Sequence, residues 1–255
     1  MHPAEQPGWL IVGHGTRDTA GQAEFVQTAR VLQVRAGSLP VAHAYLELVK
    51  PTIEQGLQAL VERGVQRVLV VPLLLFTAGH AQSDVPQAIA QAAKRLGIEI
   101  VGQTTSLELQ SQLLALSRLR YSAVLQGTSP SARTMLLMVG RGGSDQSALA
   151  AMQRYTATMA DMLGVESATA FVALAKPTLP ETLQELAARQ PATVVVQPHL
   201  LFQGEVLATI SRQVALQAER SPEIDWRLAA HLGPHPFLIE AIVARISEVA
   251  PNSAR

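Results

Sequence analysis

The sequence predicts an α/β protein made of two similar domains, each an open, mostly parallel four-stranded sheet flanked by helices. Three observations lead to this prediction: an internal repeat, alternation of apolar strand-like runs with helical segments, and strands that are apolar on both faces. Continuously apolar strands are typical of parallel sheets covered by helices on both sides. The 255 residues are enough for two domains, each with a buried core.

Three blocks of sequence occur twice, in the same order and at an offset of 125 to 127 residues. Such regularity indicates a duplicated domain of ordinary size. We therefore predict a first repeat at 1–127 and a second at 128–255. The pairs are IVGHGTRD and MVGRGGSD (11–18 and 138–145), LVKPTIEQGLQAL and LAKPTLPETLQEL (48–60 and 174–186), and RVLVVPLLLFTAGH and TVVVQPHLLFQGE (67–80 and 193–205).

The first repeat alternates strand and helix patterns. Between its apolar runs lie three segments with apolar residues at helical spacing and a glycine at or near the end, as helix termini favour. The predicted strands lie near 8–13, 40–47, 67–76 and 98–103, and the helical segments at 20–37, 51–64 and 83–97.

The second repeat has the same order of patterns, with strands predicted near 135–140, 167–174, 193–202 and 226–231. In open parallel sheets, ligands bind at the carboxyl ends of the strands. Candidate functional residues are therefore sought just after each strand.

Composition excludes several classes of function. Twenty basic and twenty acidic residues cancel without forming a basic block, so nucleic-acid binding has no electrostatic support. The absence of cysteine excludes disulfides and thiolate metal sites. The apolar runs are too short to span a bilayer, and the N-terminus lacks the pattern of a signal peptide. We expect a cytoplasmic protein.

Three polar residues of the first repeat follow neighbouring strands. His14 follows the first strand, Glu47 ends the second, and His80 lies just beyond the third. Two imidazoles and a carboxylate at one sheet edge suit a divalent ion such as Fe²⁺, Co²⁺, Ni²⁺ or Zn²⁺. They also suit proton removal near neutral pH, where imidazole titrates.

The second repeat lacks all three residues. Arg141, Ala173 and Glu205 stand in their places, although glycine is kept on both sides of Arg141. A turn that persists without a histidine does not need one. We therefore interpret His14, Glu47 and His80 as one functional site of the first repeat.

The blocks LIVGHGTRD, YLELVKPTI and VPLLLFTAGHAQSDVP resemble the signatures of the class II tetrapyrrole chelatases, the sirohydrochlorin chelatases of the cobalt (CbiX-type) and iron (SirB-type) branches. The duplicated length resembles the long, tandem form of that family. The resemblance implies two chelatase-like (flavodoxin-like) domains and insertion of a divalent metal into sirohydrochlorin. The metal, Fe²⁺, Co²⁺ or Ni²⁺, is then a substrate, with no permanent cofactor.

The resemblance assigns roles to particular residues. Its active-site histidines match His14 and His80, and its acidic partner matches Glu47, so these three are the expected catalytic and metal-binding groups. The carboxylates of sirohydrochlorin need polar partners. The candidates are Thr16, Arg17, Lys50, Ser83 and Arg141.

Two other functions stay open from the residues alone. A non-catalytic carrier could bind a tetrapyrrole or a metal in the same cleft, and a metal-dependent hydrolase could use the His/Glu/His set. Fusion of two copies can internalise a two-fold interface, so we expect a monomer with pseudo-two-fold symmetry.

Overall fold

Strands and helices alternate strictly along the residues that the structure describes. This computed structural model describes 6–76, 79–125 and 133–249, with the side chains of 79–85 left out. The first eight elements in chain order are β1 (Gly8–Gly13), α1 (Thr19–Ala36), β2 (Val41–Tyr45), α2 (Ile53–Val61), β3 (Arg67–Pro72), α3 (Gly79–Leu96), β4 (Glu99–Gln103) and α4 (Ser111–Val124). The others are β5 (Thr134–Gly140), α5 (Gln146–Leu163), β6 (Glu166–Phe171), α6 (Leu179–Ala188), β7 (Thr193–Pro198), α7 (Glu205–Arg220), β8 (Asp225–Leu228) and α8 (Pro236–Val249).

The eight strands form two four-stranded sheets with the same topology. Their orders are β2-β1-β3-β4 and β6-β5-β7-β8, and every pairing between neighbouring strands is parallel. The predicted fold class is therefore confirmed. Because β1 lies between β2 and β3, the loops that follow these three strands come together at one edge of the sheet.

Each sheet is covered on both faces. Alternate residues of β1 point to opposite faces, so Leu10 and Val12 pack with α2 and α3, whereas Trp9 and Ile11 lie on the face of α1. These four side chains are at most 3% exposed, as expected for a strand buried on both sides. In the second sheet, α6 and α7 build the equivalent core.

The two compact units of the fold do not coincide with the two repeats. One unit comprises 1–107 and 234–255, and the other comprises 108–233. Helix α4 therefore belongs to the unit of the second sheet, where it contacts β7 and α5. Helix α8 belongs to the unit of the first sheet, where it contacts α1. The domain boundary predicted between 127 and 128 therefore describes the sequence repeat, and it stays a prediction.

The predicted elements differ from the observed ones in two respects. The second and third strands of each repeat end several residues earlier than predicted, because their last apolar residues lie in the loops at the sheet edge. Helices α4 and α8 were not predicted, although both carry apolar residues at helical spacing. No helix of the described part of the chain is long and apolar enough to cross a membrane.

Candidate active site

Two loops at the carboxyl edge of the first sheet are joined through their backbones. The N–H of Leu46 donates to the carbonyl of Gly13 (2.9 Å), and the N–H of Glu47 donates to the carbonyl of His14 (3.1 Å). The parallel pairing of β1 with β2 is thereby extended past Gly13 and Tyr45, its last paired residues. The loops carrying His14 and Glu47 are thus held side by side.

Gly15 allows this close approach. Its φ is +109°, and a Cβ at this position would lie 2.1 Å from the carbonyl oxygen of Glu47. No side chain fits there, and L residues rarely adopt this φ. The glycine after His14 is therefore a requirement of the loop packing.

The structure brings His14 and Glu47 into direct contact. His14 Nε2 lies 3.0 Å from Glu47 Oε1, and the two side chains are 46% and 53% exposed. A carboxylate oxygen accepts, so the imidazole donates from Nε2 and, when neutral, keeps a lone pair on Nδ1. The pair is open to solvent and to a ligand, as a site for binding or proton transfer must be.

The described side chains place two of the three predicted ligands together. Among them, no third histidine, aspartate or glutamate joins His14 and Glu47 in a group that could hold a metal ion. His80 is in the first turn of α3, after β3, but its side chain lies outside the described residues, as does that of Ser83. The backbone brings α3 to the same sheet edge, because β3 pairs with β1.

The other predicted binding residues of the first repeat lie in the same two loops. Arg17 and Lys50 are exposed. Thr16 Oγ1 accepts from the N–H of Asp18 (3.1 Å), and Asp18 in turn caps α1 by accepting from Gly21 N–H (2.7 Å). Helix α1 therefore begins at Thr19, and one of its N-terminal N–H groups is already used by its cap.

An aromatic cluster supports the site from the α1 side. Phe25 packs against Gly13, where an added Cβ would lie 2.8 Å from its ring, and it also contacts Tyr45 at a centroid distance of 4.8 Å. His43 joins this cluster edge-on to Phe25 (5.9 Å). Burial, reinforced by the positive charge of Arg30, lowers the pKa of His43, so this imidazole is a neutral supporting group.

The second repeat keeps the loop geometry but not the chemistry. Arg141 accepts at its carbonyl from the N–H of Ala173 (2.9 Å), and a Cβ on Gly142 would lie 2.0 Å from the carbonyl oxygen of Ala173. Arg141 and Glu205 are exposed. The same turn thus forms around an arginine, which supports a chemical role for His14.

His199 of the second repeat is not a candidate ligand. It is 2% exposed, and its ring packs against that of Tyr155 in a tilted arrangement at a centroid distance of 4.2 Å. Burial lowers its pKa to about 3, so this histidine is neutral at physiological pH.

The fold and the residues at its edge define a class of protein: a duplicated parallel α/β protein with a His/Glu pair at the carboxyl edge of its first sheet. The chain belongs to the CbiX family, whose model matches residues 8–123 and 135–249. The resemblance inferred from the sequence blocks is thereby confirmed.

Individual relatives agree with this assignment. Over 246 residues the chain is 29% identical to the sirohydrochlorin ferrochelatase of Bacillus subtilis (strain 168), covering 96% of this chain and 92% of that protein. It is 28% identical over 243 residues to the sirohydrochlorin cobaltochelatase of Priestia megaterium, covering 94% and 78%.

A solved structure is similar over almost the whole chain. This is the sirohydrochlorin chelatase SirB from Bacillus subtilis subspecies spizizenii in complex with cobalt, with a TM-score of 0.81 and 28% identity. The match covers 97% of this chain and 96% of that one. The similarity therefore extends over both repeats of this chain.

Proposed function

We propose that this chain is a sirohydrochlorin chelatase, an enzyme that inserts Fe²⁺ or Co²⁺ into its tetrapyrrole substrate. The observation that carries the proposal is the exposed pair His14–Glu47, 3.0 Å apart at the carboxyl edge of a parallel sheet. The relatives named as ferrochelatase and cobaltochelatase supply the substrate and the choice of metals.

The pair has the spacing of two ligands on one ion. Imidazole nitrogens and carboxylate oxygens bind divalent metals at about 2.1 Å, so two such atoms at a right angle lie about 3.0 Å apart. His14 Nε2 and Glu47 Oε1 are separated by this distance. A metal can replace the hydrogen bond between them once the imidazole presents an unprotonated Nε2 and the ring turns so that this lone pair faces the ion.

Insertion also requires a proton acceptor. Two pyrrole N–H protons leave as the metal enters, so the macrocycle becomes a dianionic ligand that neutralises the ion. The imidazole of His14 or the carboxylate of Glu47 takes up each departing proton and passes it to solvent, to which both side chains are open, and Glu47 also balances the charge of the metal. His80, carried by α3, completes the proposed metal-binding set.

The substrate's carboxylates need a second group of contacts. Arg17 and Lys50 are exposed cations in the loops that carry His14 and Glu47, and they are the proposed partners. Thr16, Ser83 and Arg141 are also proposed as binding residues, because hydroxyl and guanidinium groups donate hydrogen bonds to carboxylates. The monomeric state is likewise proposed.

A rate measurement tests the proposal. Under anaerobic conditions, sirohydrochlorin is mixed with Fe²⁺, Co²⁺ or Ni²⁺, and the absorbance change of insertion is followed. We expect His14→Ala, Glu47→Gln and His80→Ala each to lower the rate by about 10²–10⁴-fold, the usual contribution of a placed acid or base. The metal content after dialysis distinguishes a chelatase from a zinc hydrolase, which would retain stoichiometric Zn²⁺. We expect the wild-type protein to retain none.

The second repeat offers a matched control. Glu205 is the counterpart of His80 and is exposed, so Glu205→Ala should insert metal at the wild-type rate. A wild-type rate equal to the spontaneous rate with all three metals would overturn the chelatase proposal and favour a carrier.

A further inference from the structure

Leu48, the residue after Glu47, has an unusual backbone for its side chain. Its φ is 70°, and the N–H of Val49 donates to the carbonyl of Glu47 (2.9 Å), so Leu48 is the centre of a γ-turn with positive φ. This turn is rare and strained for a residue with a Cβ, and glycine suits it better. A leucine here carries a conformational cost.

The fold covers less than half of Leu48, so its side chain gains little packing to offset the cost of the turn. Leu48 is 53% exposed, in contrast to the buried leucines of the core. The backbone turn itself is imposed by the neighbouring loop, because Leu46 and Glu47 donate to the carbonyls after β1 and Gly15 abuts the Glu47 carbonyl. The loop therefore explains the conformation at 48 but not the large apolar side chain.

The second repeat has the same combination. Leu174 has a φ of 57° and is 88% exposed, and it follows Ala173 in a loop that is joined to Arg141 in the same way. The histidine and glutamate of the first repeat are replaced in the second, whereas the leucine is kept. Its presence is thus separable from the metal-binding chemistry.

Strained backbone conformations cluster at active sites and at positions that hold ligands, and Leu48 directly follows a residue of the His14–Glu47 pair. We infer that Leu48 is a substrate-contacting residue that packs on the apolar face of the tetrapyrrole macrocycle and sets its affinity. The inference rests on the proposed function, since a tetrapyrrole has a flat apolar ring with an anionic rim. Leu48 supplies the apolar contact that the exposed His14, Glu47 and Lys50 cannot supply.

The position of Leu48 also limits what it can do. It directly follows Glu47, so a ring held on Leu48 stays beside the His14–Glu47 pair into which the metal is delivered. The leucine has no group that binds a metal or moves a proton. Its loss should therefore weaken the binding of the tetrapyrrole without changing the binding of the metal.

Two variants of Leu48 test this role. Leu48→Asn removes the apolar side chain, whereas Leu48→Met keeps an apolar side chain of similar volume, and both keep the Cβ that the turn already accommodates. We expect Leu48→Asn to raise KM for sirohydrochlorin about tenfold or more, the effect of losing one buried leucine contact. KM for Co²⁺ and kcat should stay at wild-type values, and the melting temperature should not fall. Leu48→Met should resemble wild type.

A surface control and a binding titration complete the experiment. Val34→Gln removes an 80% exposed apolar side chain of α1 and should change nothing. Titration of sirohydrochlorin without metal should show the same rise in Kd for Leu48→Asn as in KM. Unchanged sirohydrochlorin affinity in Leu48→Asn, or a loss confined to kcat or to KM for Co²⁺, would overturn the inference while leaving the chelatase intact.

The titration also keeps the two proposals apart. If wild type binds sirohydrochlorin but inserts no metal, the proposed enzyme fails, and weaker binding by Leu48→Asn still supports the contact. If wild type neither binds nor inserts metal, both proposals are overturned.

Discussion

At the scale of single residues, Gly15 and His14 have separate reasons for standing together. Gly15 is fixed by geometry, because the carbonyl of Glu47 occupies the space of a Cβ. His14 is not fixed by geometry, because Arg141 occupies the same turn in the second repeat. The backbone selects the glycine, whereas the side chain of the histidine contacts Glu47 and is the proposed functional group.

A pair of glycine substitutions tests this separation. Gly15→Ala and Gly142→Ala create the same clash with a facing carbonyl, at 2.1 and 2.0 Å, so each should lower the free energy of unfolding by roughly 1–3 kcal/mol. Only Gly15→Ala displaces Glu47 from His14, and it should lower the insertion rate by about a hundredfold. Denaturant unfolding and the absorbance assay check the two parts. Equal rates in the two variants would contradict the argument.

At the scale of elements, helix α4 is bound to the second sheet by buried polar contacts. Ser117 Oγ lies 2.8 Å from the hydroxyl of Tyr155, and Gln197 Nε2 donates to the carbonyl of Ser117 (3.0 Å). Burial raises the pKa of Tyr155, which stays a neutral phenol. In the first sheet, Val71 stands in place of Gln197, and the residues that α8 buries are all apolar. The polar contacts therefore match α4 to the second sheet rather than to the first.

Two serines of α4 test these contacts. Ser117→Ala removes the hydroxyl that faces Tyr155 and should lower the free energy of unfolding by about 1–3 kcal/mol, the cost of leaving a buried polar group without that partner. Ser122 is exposed on the same helix, and Ser122→Ala should leave stability unchanged. Urea unfolding measures both variants. Equal stability of the two would show that the buried contact contributes nothing.

At the scale of the whole molecule, the two units differ in whether they are formed by one segment of the chain or by two. The unit of the second sheet is one continuous segment, 108–233, whereas the unit of the first sheet needs 1–107 and 234–255. Helix α8 brings buried Leu238, Ile239, Ile242 and Ile246 to the first unit, and each such side chain contributes roughly 1.5–3 kcal/mol. The first repeat alone lacks this helix.

Separate expression of segments tests the division. We expect 108–233 to fold as a monomer with a cooperative unfolding transition, because its sheet, both helical layers and core are present. We expect 1–125 to be unfolded or self-associated, since one face of its sheet loses α8 and the apolar face of α4 loses its sheet. Circular dichroism, unfolding and sedimentation measure these states. A stable folded monomer of 1–125 would instead favour the boundary of the sequence repeat.

His14 and Glu47 of the candidate site could be predicted because the sequence patterns that mark the strands before them are local. A strand is recognised by its apolar run, and residues after neighbouring parallel strands must share an edge, so His14 and Glu47 could be placed together without coordinates. Leu48 could not be singled out, because an apolar residue after an apolar strand resembles more strand. Its importance depends on a positive φ imposed by contact between two loops.

The sequence by itself determined the duplication and the parallel α/β class, and it predicted a site at the carboxyl edge of the first repeat that the second repeat lacks. These features depend on period and order along the chain. Only the tertiary structure decided that α4 and α8 each leave the sheet of their own repeat, that the two loops are joined, and that Leu48 is exposed. The reason is physical: an amphipathic helix can cover either sheet, and packing between residues distant in sequence makes the choice.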